Sequence, residues 1–90
     1  MSTLTLEKTY LPILKSSLDT QQKLLHMKLQ NYKKRLKEFE KKHKLPSNRF
    51  YKKFLQGQLG DDDYLIEWEF LYESYLKIKE QISKINSIRL

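Results

Sequence analysis

Two runs of apolar residues, spaced alternately three and four apart, leave this chain few folds to choose from. The first reads Leu18, Leu25, Leu29, Tyr32, Leu36, Phe39 and His43, with intervals of 4, 3, 4, 3, 4 from Leu25 onward. The second reads Trp68, Leu71, Tyr75, Ile78, Ile82 and Ile85, with intervals of 3, 4, 3, 4, 3. Such spacing places every apolar side chain on one narrow seam of an α-helix that lies against another helix. Helices are therefore predicted over about residues 17–43 and 62–86. Gln22 falls on the first seam and should weaken it locally. With only two glycines and two prolines, the chain lacks the turns that a β-sandwich or barrel requires.

The connector is punctuated. Pro46 disfavours helical geometry at Leu45, so the first helix should stop near Lys44. Ser47 is a good N-cap for a short helix, and Gly57 is placed to end it in the left-handed conformation. Phe50 and Phe54 share a face of that helix, and Ile66 and Phe70 offer a surface for them. Gly60 allows a further turn, and Asp61, Asp62 and Asp63 then sit where the next helix begins. The two long helices should run antiparallel, with Trp68 near Phe39 and Leu36 and a Lys42–Glu67 pair helping to fix the register. Residues 1–16 fit neither helix. Thr3-Leu4-Thr5-Leu6 alternates and Pro12 interrupts, so an extended N-terminal arm is expected, leading into a hairpin domain over 17–90. The fold class is thus all-α: an antiparallel, coiled-coil-like hairpin with a short connecting helix and an amino-terminal arm.

Composition narrows the functions. The absence of cysteine removes disulfides and thiolate metal sites and is compatible with a cytoplasmic protein. The opening residues lack a signal-peptide pattern, and no run approaches the ~20 apolar residues that span a bilayer, so no membrane role is expected. The only histidines, His26 and His43, lie about 25 Å apart on one helix and cannot share a metal. Asp61-Asp62-Asp63 lacks the alternating ligands and distant glutamate of a calcium loop, and helix capping accounts for it better. Neither a catalytic group nor a cofactor site emerges, and the chain does not read as an enzyme.

What remains is surface. The net charge of +7 is unevenly spread: it is zero over residues 1–22, +10 over 23–53 (twelve Lys and Arg against Glu38 and Glu40) and −3 over 54–90. Lys33, Lys37, Lys41 and Lys44 line one stripe, where like charges repel. A solvated coiled-coil exterior is the plain reading of this tract. A polyanion or an acidic protein face is the functional alternative, with Lys33, Lys34, Lys37, Lys41 and Lys42 as the nucleic-acid contacts. Tyr72 and Leu76 form a second stripe that one hairpin leaves partly exposed, as do Leu11, Ile13 and Leu14 in the arm. A second copy of the chain or a different protein would cover these residues.

The stretch from Phe50 to Trp68 (Phe-Tyr-Lys-Lys-Phe-Leu-Gln-Gly-Gln-Leu-Gly-Asp-Asp-Asp-Tyr-Leu-Ile-Glu-Trp), continuing through Leu71-Tyr72-Glu73-Ser74-Tyr75, resembles a group of small prokaryotic proteins. Their pattern is F-x-x-G-x-L-G-D-D-x-x-x-x-E-W-x-x-L-Y followed by a helix, and they look like the antitoxin members of toxin–antitoxin pairs. The resemblance covers about a third of the chain and implies tight binding to a small toxic enzyme. It does not include the basic helix or the arm. The physics of the pattern also stands alone, because Gly57 and Gly60 turn the chain and Glu67 and Trp68 lock a helix to its neighbour. The leading expectation is a non-catalytic protein-binding module of antitoxin type, using Leu11, Ile13, Leu14, Tyr72 and Leu76. A basic nucleic-acid-binding protein and a structural coiled-coil subunit are the alternatives.

Overall fold

The computed structural model describes residues 10–60 and 62–88, and among these every regular element is helical. The order is α1 (Leu11–His43), α2 (Ser47–Leu55) and α3 (Asp63–Asn86). The two long helices pack side by side in opposite directions, and α2 closes one end. The result is a rod 55 Å long and 24 × 18 Å across.

The helices begin and end for identifiable reasons. α1 starts earlier than the apolar repeat suggested, because Pro12 sits in its first turn. There its missing N–H is no loss, since those donors have no intrahelical acceptor, and its fixed φ suits a helix start. The Tyr10 carbonyl accepts the first bond from the Leu14 N–H at 3.0 Å. Residues 11–16 are therefore helix and not an extended arm, and the boundary expected at 16/17 falls inside α1. The rest of the expected arm, residues 1–9, lies outside the described residues. At the other end Lys44 adopts the left-handed conformation (φ 52°), and Pro46 then prevents continuation. Gly57 and Gly60 take the positive φ angles, 70° and 84°, that the connector needs.

Ser47 has a different role from the cap expected of it. Pro46 occupies the N-cap position of α2, and the orphan N–H of Ser47 donates to the Glu40 carboxylate (Oε2) at 2.9 Å. A side chain on α1 thus supplies the cap. This frees the Ser47 hydroxyl, itself buried, to accept a 2.9 Å hydrogen bond from the Trp68 indole N–H. At the start of α3, Asp62 is the N-cap residue, but its carboxylate makes no capping bond; its backbone carbonyl accepts from Leu65 and Ile66.

The core has two parts. At the closed end Leu36, Phe50, Leu65, Trp68 and Leu71 are buried together. Toward the open end Leu25, Leu29, Ile78 and Ile82 form a second cluster, and Tyr32 and Tyr75 pack against both. Trp68 lies as expected beside Leu36 and Phe39: its ring stacks on Phe39 (5.5 Å between centroids) and also on His43 (5.5 Å). Phe50 stacks on Trp68 at 3.9 Å with the rings 2° from parallel, and Phe54 leans on Phe50. Hence α2 docks on the Trp68 face and not on Ile66 and Phe70, which stay 48% and 62% exposed. The larger ring, carrying a donor that only Ser47 satisfies, outcompetes the smaller off-seam pair.

Two polar contacts set the register. Glu67 pairs with Arg35 at 3.0 Å, one heptad away from the expected Lys42, which borders the same recess without an ion pair. Both side chains are about half exposed, so the pair contributes only ~0–1 kcal/mol. At the open end the seam residue Gln22 donates a hydrogen bond to Asn86, so this polar position is matched across the helices.

Replacing Phe50 with alanine is expected to lower unfolding free energy by about 3–5 kcal/mol, the range for emptying a fully buried aromatic site. Ser47→Ala, which removes only an oxygen, is expected to cost about 1–3 kcal/mol by orphaning the buried indole N–H. Urea denaturation followed by Trp68 fluorescence measures both, and an unchanged midpoint for Ser47→Ala would contradict the assigned hydrogen bond.

Candidate protein-docking groove

Where α2 crosses the hairpin it leaves an open groove of about 380 Å³ between α1 and α3. Its apolar floor comes from Leu36, Tyr72, Tyr75 and Leu76. Lys33 and Lys37 of α1 and Lys79 of α3 supply the cationic walls, and Ser47 and Asn48 close the α2 end. Glu40 also lines the groove, but its carboxylate is held by the Ser47 N–H. An incoming ligand therefore meets three lysines and one carboxylate around an apolar floor, so the groove lining is cationic on balance.

Aromatic packing holds this floor. The Tyr72 ring leans on Tyr51 (5.1 Å, 52°) and stacks on Tyr75 (6.1 Å, 28°). The Lys79 ammonium sits 5.3 Å from the centre of the Tyr75 ring, within cation–π range. Tyr51 is tied down in turn by donating its hydroxyl hydrogen to the Glu73 carboxylate at 2.9 Å. That bond, with a smaller contribution from burial, raises the Tyr51 pKa above the ordinary tyrosine value. Glu73 is one turn from Glu69. Burial above all, and then the hydrogen bond with Glu73, raises the Glu69 pKa, while hydrogen bonds from Glu69 and Tyr51 lower that of Glu73.

The groove gathers four residues singled out in the sequence: Lys33, Lys37, Tyr72 and Leu76. Leu76 is 39% exposed and Tyr72 half-buried, as expected of a stripe the hairpin covers incompletely. Lys33 is also half-buried, so the lysine stripe turns partly inward at this point. Lys34, Lys41 and Lys42 are exposed and lie outside the groove. Leu11, Ile13 and Leu14 are exposed too, but at the far end of α1, about 28–33 Å from Lys33 along the helix. The residues expected to bind one partner thus fall into two separate patches. Lys79 and Asn48 escaped the sequence reading. The i, i+4 spacing of Tyr75 and Lys79 was the available signal for the first; nothing local marks the second.

Among the described residues no group of three or more His, Asp or Glu side chains is placed to hold a metal ion. His43 is stacked between Phe39, Tyr64 and Trp68, and its Nε2 is buried without a hydrogen-bond partner. His26 is exposed. Among the described residues no helix is long and apolar enough to cross a membrane. Compared with protein-family models, curated proteins and solved structures, the chain shows no significant match to any.

Folding favours the protonated Tyr51 phenol. The stabilisation from its bond to Glu73 is therefore complete below the unfolded tyrosine pKa of about 10. It is lost as pH rises through the higher folded value. Ultraviolet titration of the native protein should show Tyr51 ionising late, and Glu73→Gln should move that ionisation to lower pH. A titration curve insensitive to Glu73→Gln would contradict the contact.

Proposed function

We propose that this chain is a non-catalytic protein-binding module that uses the groove to hold an acidic segment of a partner protein. The observation that carries the reading is the convergence of Lys33, Lys37 and Lys79 around the partly exposed Tyr72 and Leu76. Apolar anchors seated in a pocket and flanked by charge are what concentrate binding energy at protein interfaces. The resemblance of the Phe50–Trp68 stretch to antitoxins supports a more specific form: an inhibitor that masks a small toxic enzyme. In that form α2 and the start of α3, which the pattern spans, hold the groove open, and the basic wall meets acidic surface on the enzyme.

Nucleic acid is the weaker fit to this groove. Base recognition by a basic surface of this kind relies on free aromatic faces. Here Tyr72 is packed against Tyr51 and Tyr75, and Tyr75 carries Lys79. Phosphate contacts through Lys34, Lys41 and Lys42 would give binding with little sequence preference and steep salt dependence.

Co-expression with the product of the adjacent reading frame tests the proposal. The expected result is rescue from toxicity and a stable complex, weakened about tenfold or more by Leu76→Asp and by Lys37→Glu, a loss of at least ~1.4 kcal/mol. No rescue and no complex would overturn it. Binding to a single-stranded oligonucleotide that collapses between low and moderate salt would transfer the basic face to nucleic acid.

A further inference from the structure

The groove does not end where its lysines do. A second recess of about 290 Å³ is lined by Leu29, Lys79, Ile82, Ser83 and Asn86, and it shares Lys79 with the first. On α3, Leu76, Lys79 and Ser83 follow at intervals of 3 and 4; on α1, Leu29, Lys33 and Lys37 follow at intervals of 4. Both recesses therefore lie along one side of the hairpin. From Tyr72 to Asn86 they extend about 21 Å along α3. Charge is concentrated at one end. Lys33 and Lys37 stand toward α2, and Lys79 stands where the two recesses meet. The ion pairs among the described residues, Arg35 with Glu67 and Lys84 with Glu80, include none of these three lysines. Beyond Lys79 the lining is apolar or neutral.

We propose that the segment held here is an amphipathic, acidic α-helix of about four turns, which lies along both recesses as a third long helix beside α1 and α3. This rests on the reading of the groove as a site for an acidic partner segment, and it adds the conformation, length and charge pattern of that segment. The walls decide the conformation. Both long walls are helices, whose backbone N–H and C=O groups are paired along their own axes, so an extended strand would find no backbone partners on the floor. A helix pairs its own backbone and can lay an apolar stripe over Tyr72, Leu76 and Ile82. The span sets the length, since about 21 Å takes about fourteen helical residues. The lysines set the charge pattern. Lys33 and Lys37 are one turn apart on one wall, so they match carboxylates one turn apart on one flank of the incoming helix. Lys79, on the opposite wall, matches a carboxylate on the other flank. The half lying beside Ser83 and Asn86 needs no charge. A free helix of this length is marginal in water, so the segment becomes ordered as it binds.

Fluorescence anisotropy with labelled synthetic peptides and the full chain tests it. The probe is a peptide of about fourteen residues with a leucine seam at helical spacing and glutamates flanking that seam in either its first or its last half. Its control keeps the leucines and glutamates but carries two prolines at central outward positions, which forbid the helix. The better-binding probe is expected to bind at least tenfold more tightly than its proline control and to gain helical circular dichroism in the complex. Lys37→Glu should weaken it, and so should Ser83→Tyr, which places bulk in the second recess at an exposed position away from the core. Equal binding of the proline control, or tight binding indifferent to Ser83→Tyr, would overturn the helical occupant and leave the groove as a site for an acidic segment. Binding of neither peptide would overturn both readings of the groove.

Discussion

The hydrogen bond from the Trp68 indole to the Ser47 hydroxyl, with Phe50 lying flat on the same ring, is the joint on which the closed end of this protein depends. A hairpin of two helices buries only a seam, and a short third helix has little intrinsic stability of its own. Here one large side chain on α3 meets α1 through Phe39 and His43 and α2 through Phe50 and Ser47. Burial brings the three helices together, and the indole N–H, which must find an acceptor, fixes where α2 sits. Glu40 reinforces that placement by capping α2 from α1.

The groove follows from this joint. Because α2 lies over Trp68, its first residues, Ser47 and Asn48, close one end of the groove, and Tyr51 reaches Tyr72 and Glu73. Glu40, held in place as the cap of α2, keeps its negative charge, and the three neighbouring lysines outnumber it. The contacts that stabilise the closed end thus shape a cationic site with an apolar floor. Farther along the rod the construction is simpler: Leu25 and Leu29 meet Ile78 and Ile82, and Gln22 with Asn86 forms a polar layer near the end of α3.

Much of this was legible from residue spacing. The heptad intervals located both long helices and put Trp68 beside Leu36 and Phe39, because burial of a continuous apolar seam leaves few other arrangements. Pro46, Gly57 and Gly60 marked the connector for equally local reasons. Pro12 misled, since the same ring that breaks a helix interior is well suited to its first turn, and only the chain on either side decides which applies. The partners of Ser47, Phe50 and Glu67 were not legible. Each depends on how α2 crosses the hairpin, and that crossing is a tertiary choice between two apolar surfaces, Trp68 and the Ile66–Phe70 pair. For the groove, Lys33, Lys37, Tyr72 and Leu76 stood out by type and spacing. Their meeting in one place, and the separation of Leu11, Ile13 and Leu14 from them, required the packing.

Hydrogen exchange at the Trp68 indole N–H, followed by nuclear magnetic resonance, tests the central joint most directly. If Ser47 accepts this hydrogen beneath Phe50, exchange should occur only through global unfolding and slow in step with the most protected amides of α1 and α3. Exchange as fast as that of a solvent-exposed indole, while those helix amides stay protected, would show that α2 does not sit on Trp68.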